Sequence, residues 1–504
     1  MRPLKDLAGQ TIVYGLPSII GRFLSYLLVP LYTYTFSTGD YGKITFLYAY
    51  ISFINILLTY GMETSLFNFS RLEENKKKVY RTILLSVVCT SVLFIILIGT
   101  FRETIAGWVH LPEHPEYIVW LAIILGTDAV CAIAFAKLRQ LNKARRFATI
   151  KTLNIVIYIL SNLFFILICP IIYKHPESFF YSLIQPVYNP TIGIGYILIS
   201  NVIASVATLL MLVPDLLGAG KGSEIHEVSS VQIFDLVLWK RMMPYAMPLV
   251  FAGLAGMVNE TLDRVLLQYL LPKDISWQQG GIYSACYKLS IIITMFVQAF
   301  KYAAEPYFFA NAHEKDFTKT FADVVKYFII ICLLIFLGTM LNLSWIKYFV
   351  SKNYWSGLQV VPILLMANLC LGVFYTLSIW YKLGNKTLYG AYLTIIGAII
   401  TIVLNIYWIP RIGYIGCAWA TLICYATVMV LSYFMSRKQL PVKYDFFRIS
   451  IYFALSLILY FVSTQIKVDS KILGLIINNG LVLIFVAVVY FMEKPTFAFT
   501  KFIK

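Results

Sequence analysis

Residues 7–36 of the chain, LAGQTIVYGLPSIIGRFLSYLLVPLYTYTF, decide how the rest is read. The run can cross a bilayer as one helix, since about 20 residues at ~1.5 Å rise span the hydrocarbon core. Yet Arg22 stands near its midpoint. A charge there costs about 2.5–3.5 kcal/mol on insertion scales, so Arg22 is expected to face a bundle interior or a water-filled cavity. Pro17, just ahead of it, lacks a backbone donor and is expected to kink the helix beside its only charge. The design returns at 238–267, LWKRMMPYAMPLVFAGLAGMVNETLDRVLL. Here Leu238, Tyr245 and Pro248 match Leu7, Tyr14 and Pro17 at one constant offset, Pro248 marks the corresponding kink, and the segment ends in Glu260, Asp263 and Arg264.

The segments that follow match as well. In DYGKITFLYAYISFINILLTYGMETSLFNF, from Asp40, residues Tyr41, Tyr60, Glu63 and Phe67 align at one spacing with Tyr283, Tyr302, Glu305 and Phe309 of GIYSACYKLSIIITMFVQAFKYAAEPYFF. Two aligned pairs of segments in the same order predict an internal duplication. Apolar runs of membrane-spanning length recur along the whole chain, about fourteen in all. The expected fold is an all-α polytopic membrane protein of about fourteen transmembrane helices: two six-helix lobes related by pseudo-twofold symmetry plus two extra C-terminal helices. The expected divisions are an N-terminal lobe (1–213), an amphipathic cytoplasmic linker (214–243), a C-terminal lobe (244–435), and spans 13 and 14 with a cytoplasmic tail (436–504). Within the linker, the spacing of Ile225, Val228, Val231, Phe234, Leu238 and Trp239 predicts an interfacial helix.

The composition agrees: 60% of residues are apolar, 13% are charged and the mean hydropathy is +0.78, far from soluble-domain averages. The net charge of +17 does not imply a nucleic-acid partner, because of where the charge sits. With the amino terminus placed in the cytoplasm, Lys and Arg favour the inner segments over the outer loops by about three to one, as the positive-inside rule demands. Both termini are then cytoplasmic. The densest inner groups are Lys76–Lys78 and the run Lys137, Arg139, Lys143, Arg145, Arg146 and Lys151, read as topogenic charge that meets lipid headgroups. The eight cysteines fall in or beside apolar spans without a CxxC pair and read as small buried hydrophobes. The first apolar segment is too long for a signal peptide and is expected to remain as the first span.

No phosphate-cradling GxxxxGK[ST] and no HExxH occurs, the five histidines lie in loops, and no loop is long enough for a catalytic domain. No catalytic residue, metal site or bound cofactor is expected. What remains is a set of ionisable residues within spans or at their ends. Arg22 and Arg264, in corresponding spans, give a cavity a positive lining suited to an anion, since the guanidinium fork matches phosphate oxygens; Lys288 is the third candidate for substrate binding. Asp128, Glu260 and Asp263 are candidates for counter-ions or for coupling to a proton or sodium gradient. Glu260 and Arg264 lie four apart on one helix face, where a local ion pair is the simpler account. Glu63 and Glu305, at the inner ends of corresponding helices, are candidates for a gate, with the 71–81 cluster or Lys301 as ordinary partners.

The fourteen-span pattern, GLPSIIGRFLSYLLVPLYTYTFSTGDYGKITFLYAY near the amino terminus, and NETLDRVLLQYLL followed by GIYSACYKLS at mid-chain resemble polysaccharide biosynthesis proteins of the O-antigen flippase type. These belong to the multidrug, oligosaccharidyl-lipid and polysaccharide exporter superfamily. The resemblance covers essentially the whole chain. It implies an alternating-access transporter of the bacterial inner membrane, not an enzyme, that carries undecaprenyl-diphosphate-linked oligosaccharide from the inner to the outer leaflet for surface polysaccharide such as O-antigen lipopolysaccharide. The implied partners are that lipid-linked substrate, membrane lipids, and a polysaccharide polymerase with its chain-length regulator. Lipid II flippases use first-span arginines for the diphosphate, and this carries over to Arg22 alone. Two rivals stand beside this reading. A cation-coupled multidrug exporter calls for a cavity dominated by acidic groups and typically has twelve spans. A membrane glycan polymerase or ligase calls for a large outer loop, and the longest here is the stretch from Ile171 to Pro190.

Overall fold

The computed structural model describes residues 20–21, 23–73, 75–216, 234–384, 386, 388–466 and 470–493. Among them no strand occurs, and thirteen helical segments are long and apolar enough to cross a membrane. Residues 23–35 are also helical and form the described part of the first expected span, whose Pro17 and Arg22 lie outside the described residues. The chain is thus an all-α, multi-pass membrane protein. The helices overrun their apolar cores: the seventh expected span extends to Leu236–Leu270 and the eighth to Lys273–Asn311.

Contacts divide the chain into two compact units, the first ending at Gly281. The first holds α1 (23–35), α2 (Thr38–Thr59), α3 (Met62–Leu72), α4 (Lys76–Thr100), α5 (Arg102–Trp108), α6 (Pro115–Gln140), α7 (Ala144–Asn162), α8 (Cys169–Tyr173), α9 (Tyr181–Ile184), α10 (Tyr196–Leu216) and α11 (Leu236–Leu270). The next helix, α12 (Lys273–Asn311), begins in the first unit and continues in the second. The second unit adds α13 (Phe317–Leu341), α14 (Leu343–Ile346), α15 (Val361–Leu377), α16 (Ile379–Leu383), α17 (Leu388–Ile412), α18 (Tyr414–Ser436), α19 (Phe446–Gln465) and α20 (Lys471–Glu493).

In the first unit α6 is the central helix, packed by α4 and α10 and touched by α2, α3 and α7. Its small residues Ala122, Ala129, Ala134 and Ala136 are buried, which allows the close helix approach that replaces the hydrophobic effect inside a membrane. The second span is interrupted. Tyr60 (φ 29°) and Gly61 (φ 72°) leave the right-handed helical region, and the chain restarts as α3 at Met62. A Cβ on Gly61 would approach the Ala246 carbonyl of α11 to 3.0 Å, so glycine serves both the backbone angle and the contact. Leu238, Met242, Ala246 and Val250 of α11 complete this core with Met62, Leu66 and Ile83. Helix α11 runs through Pro244 and Pro248.

In the second unit α15 lies between α18 and α13, α17 packs on α18, and α19 and α20 both pack on α13. The outward faces are apolar in both units: Val92, Leu93, Ile96 and Leu97 of α4, and Ile476, Leu483 and Ile484 of α20, are exposed. That is the surface a hydrocarbon solvent selects, with every backbone polar group satisfied inside a helix.

Two expectations are corrected. Cys89 is exposed, because it lies on the side of α4 turned away from the core, whereas six of the other cysteines are buried and Cys370 is half-buried. Residues 217–233 of the expected linker helix lie outside the described residues, Phe234 is not helical, Asp235 is extended, and the stretch from Leu236 belongs to α11. Asp235 caps α11, accepting from the Leu238 amide at 3.0 Å, and pairs with Lys78 at 2.5 Å. The Lys78 ammonium holds the Asp235 carboxyl below its usual range. Its contribution is therefore present above the unfolded-state pKa of about 3.9 and lost as the pH falls through the lowered folded value. Asp235→Ala is expected to lower hydrogen-exchange protection, relative to the intrinsic rate at the same pH, in the first turn of α11, as is acid below about pH 4, while unchanged protection in Asp235→Ala would show the cap to be idle.

Candidate functional site

Charged side chains in the first unit collect at one end, where α3, α6 and α10 finish and α4, α7 and α11 begin. Glu63, at the start of α3, pairs with Arg139 near the end of α6 at 2.8 Å, not with the 71–81 cluster. Arg146 of α7 donates to the buried carboxylate of Asp215 at 2.6 Å. Lys137 donates to the Asp215 carbonyl at 2.9 Å and lies 3.9 Å over the Tyr80 ring. Arg241 meets Glu73 at 2.9 Å. Much of the basic charge that the sequence assigns to topology is therefore spent on fixing helix ends.

Deeper in the unit lies a polar interior. Asp128 of α6 is half-buried, hydrogen-bonded to Ser205 of α10, and near Lys151 of α7; Lys151 itself lies 4.3 Å over the Phe135 ring. Further along, Tyr32 donates to Asn162 at 2.8 Å and meets the Tyr158 hydroxyl at 3.1 Å, and Asn201 donates to Tyr48 at 3.2 Å. Asn154 bonds Thr208 at 2.8 Å. A bundle interior with this many bonded hydroxyls and amides is wet enough in character to hold a carboxylate. On α11, Arg264 donates to the Glu260 carbonyl at 2.8 Å and to the Asp263 carboxylate at 3.3 Å. Asp263 is buried while Glu260 is exposed, and Arg264 meets the carboxylate of Asp263, with the carbonyl of Glu260 as its contact four positions back.

In the second unit Lys288 is half-buried in α12. Glu305, at the far end of the same helix, pairs with Lys382 of α16 at 2.5 Å and stands 4.0 Å from Lys301. The matched carboxylates Glu63 and Glu305 are thus held alike, each by a cation at the end of the span two further along its repeat. A second charged centre lies on α20. Glu493, fully buried, accepts from Lys326 of α13 at 2.8 Å, from Tyr452 of α19 at 2.7 Å and from Arg448 at 3.2 Å.

Of the residues chosen from sequence, Asp263 and Arg264 meet directly, Asp128 lies in the polar interior, and Glu63 and Glu305 occupy corresponding ion pairs in separate units. Arg22 and Pro17 lie outside the described residues. Sequence reasoning passes over Asp215, Lys382 and Glu493 as candidates and treats Arg139 and Lys151 as loop charge. Lys151 had a signal: it sits two turns inside a helix that starts at Ala144. Among the described residues no group of His, Cys, Asp and Glu can hold a metal ion.

The family model described as polysaccharide biosynthesis protein matches residues 7–312. A search of curated proteins finds no match. Among solved structures, the fold is similar to that of the lipid II flippase MurJ in an inward-closed conformation, at a TM-score of 0.66 and 16% identity over 95% of this chain and 99% of that one. It is also similar to an inward-facing multidrug resistance MATE family transporter of the MOP superfamily, at a TM-score of 0.62 and 12% identity over 86% of this chain and 98% of that one. A MOP superfamily transporter from Pyrococcus furiosus matches at a TM-score of 0.58 and 13% identity over 86% of this chain and 96% of that one. At such identities the likeness is one of fold.

Proposed function

Because this chain belongs to the polysaccharide biosynthesis protein family, we propose that it is a transporter that flips undecaprenyl-diphosphate-linked oligosaccharide from the inner to the outer leaflet of a bacterial inner membrane, with both termini in the cytoplasm. The match of that family over residues 7–312 is the observation that carries the reading, and the similarity in fold to a lipid II flippase supports it. In the proposed cycle of alternating access the diphosphate is held by cations within the spans, Arg22, Arg264 and Lys288. Asp263, 3.3 Å from Arg264, serves as its counter-ion. Asp128, among hydroxyl groups, is the favoured site for coupling to a proton or sodium gradient, with Glu260 the alternative, and Glu63 and Glu305 act at the gate. A polysaccharide polymerase and its chain-length regulator are the proposed downstream partners, and surface polysaccharide of the O-antigen lipopolysaccharide type is the proposed product.

The test is complementation of a flippase-deficient strain, with surface glycan scored and the leaflet of the lipid-linked repeat probed. Restored glycan with the repeat in the outer leaflet is expected; no restoration with any of several repeats, together with drug efflux, would replace this reading by the multidrug exporter that the MATE likeness favours. Removing one phosphate-binding cation costs about 1.5–3 kcal/mol when its bond is charge-assisted, so Arg22→Ala and Arg264→Ala are each expected to lower flipping at least tenfold at normal membrane abundance. Normal flipping by both variants would remove the headgroup role.

A further inference from the structure

The span that begins with α7 ends at Tyr173, and the loop that follows it leaves the first unit at the end opposite the paired charges. Between Ser178 and Tyr188 this loop winds helically around α9: the amides of Tyr181, Ile184, Gln185 and Tyr188 donate to the carbonyls of Ser178, Phe180, Tyr181 and Ile184. At 3.6 residues per turn, Phe179, Phe180, Leu183 and Val187 share one face. All four are exposed, by 80%, 56%, 60% and 55% in that order. The positions beside that face turn to protein: Ile184 is buried, and the Tyr188 ring stacks on Tyr196 of α10 at 5.1 Å. Gln185, also exposed, falls on the side opposite the apolar four.

Aromatic contacts fix the depth of these turns. Tyr181 packs on Tyr173, the last residue of the span, at 5.6 Å between ring centroids, and Tyr173 meets Tyr188 at 5.5 Å. The winding therefore lies level with the end of the span, where hydrocarbon gives way to headgroups. The Asn189 amide, which donates to the Tyr196 hydroxyl at 2.6 Å, fastens its far end. Along the chain the exposed apolar surface of the span's last turns, Leu167, Ile168 and Ile171, resumes at Phe179 after the exposed residues 174–177. In water such a face is a liability; at the membrane interface aromatic and apolar side chains of this kind are enriched. Lys174 and Glu177 cancel in charge, so attraction to anionic headgroups is not what holds the loop.

We propose that residues 179–187 form an interfacial helix whose apolar face lies in the acyl-chain border of the leaflet at that end of the bundle, the outer leaflet in the orientation proposed above. Its partner is neutral lipid, met through Phe179, Phe180, Leu183 and Val187, and the contact ties the end of the α7 span and the start of α10 to the membrane surface. It requires only that the chain spans a bilayer, whatever the chain transports.

The test places p-benzoylphenylalanine, which photo-cross-links to nearby C–H bonds, singly at Phe179, Leu183, Val187 or Gln185 of the full chain in phosphatidylcholine nanodiscs, and reads lipid adducts by mass spectrometry. Adducts are expected at Phe179, Leu183 and Val187 at several times the yield at Gln185, without anionic lipid. Because all four side chains are exposed, the unfolding midpoint is expected to stay unchanged, and three positions on the face keep the result independent of any one variant. Absence of lipid adducts at all three, or an equal yield at Gln185, overturns the proposal. So does a protein adduct that replaces the lipid one when the chain is irradiated in the membranes of its host, since the face would then belong to a partner protein. Adducts form whichever way the chain faces, so their absence counts against this contact alone, while the flippase reading stands or falls by complementation.

Discussion

Glu493→Ala is expected to destabilise the second unit by about 3 kcal/mol, near the low end for removal of one partner from a buried ion pair. The side chain is fully buried and gathers Lys326, Arg448 and Tyr452 from two other helices. Without it Lys326, 3% exposed, keeps Asp323, at 3.4 Å and itself partly exposed, and the Tyr327 ring at 5.1 Å, and the Tyr452 hydroxyl loses its acceptor. The partly solvated Asp323 is the reason for choosing the low end of the range. Since the bonds of Asn478 to the Leu341 carbonyl and of Asn479 to Asn342 hold the earlier part of α20, the loss is expected to appear as release of the end of α20, seen as faster hydrogen exchange in the turns before Glu493 and a lower unfolding midpoint in detergent. A buried pair replaced by apolar residues of similar volume is often neutral or better, so Glu493→Leu with Lys326→Met is expected to recover most of the stability. If Glu493→Ala unfolds at the same midpoint as the unaltered protein, the hub does not hold these helices.

That hub marks where sequence reading stops. The bundle was legible because bilayer thickness sets the length of each apolar run, and the duplication because Tyr41, Tyr60, Glu63 and Phe67 recur at one spacing. The partners of charged residues were not legible. Glu493 lies 167 positions from Lys326 and reads as one more charge at a span end, and Arg139 sits in a basic run that topology alone accounts for. Helices apolar on every side, as α4 and α20 nearly are, carry no polar face to say which side meets protein and which meets lipid. The exposure of Cys89 follows from packing, which periodicity does not encode.

Gly42→Val is expected to break the crossing of α2 with the start of α12. A Cβ at Gly42 would lie 1.9 Å from the Trp277 carbonyl oxygen, and one at Gly281 would lie 1.9 Å from that of Thr38. Both obstacles are backbone, so no rotamer change relieves them and the helices must separate. Overpacking costs about 1–3 kcal/mol where side chains can shift; here the upper end is expected, with even Gly42→Ala costing about 2 kcal/mol. Separation also undoes neighbouring contacts, such as the edge-to-face packing of Phe46 on Trp277 at 5.2 Å. Because the two glycines guard the same crossing, the second substitution meets helices already apart, and Gly42→Ala with Gly281→Ala should cost clearly less than the two singly added. Gly280 provides the control, since a Cβ there meets nothing within 4 Å, and Gly280→Ala is expected to leave the midpoint within about 0.5 kcal/mol. Unfolding midpoints of these five variants, the Gly281→Ala single included, decide the matter: strict additivity, or an effect at Gly280 equal to that at Gly281, would mean that close backbone approach does not set this crossing.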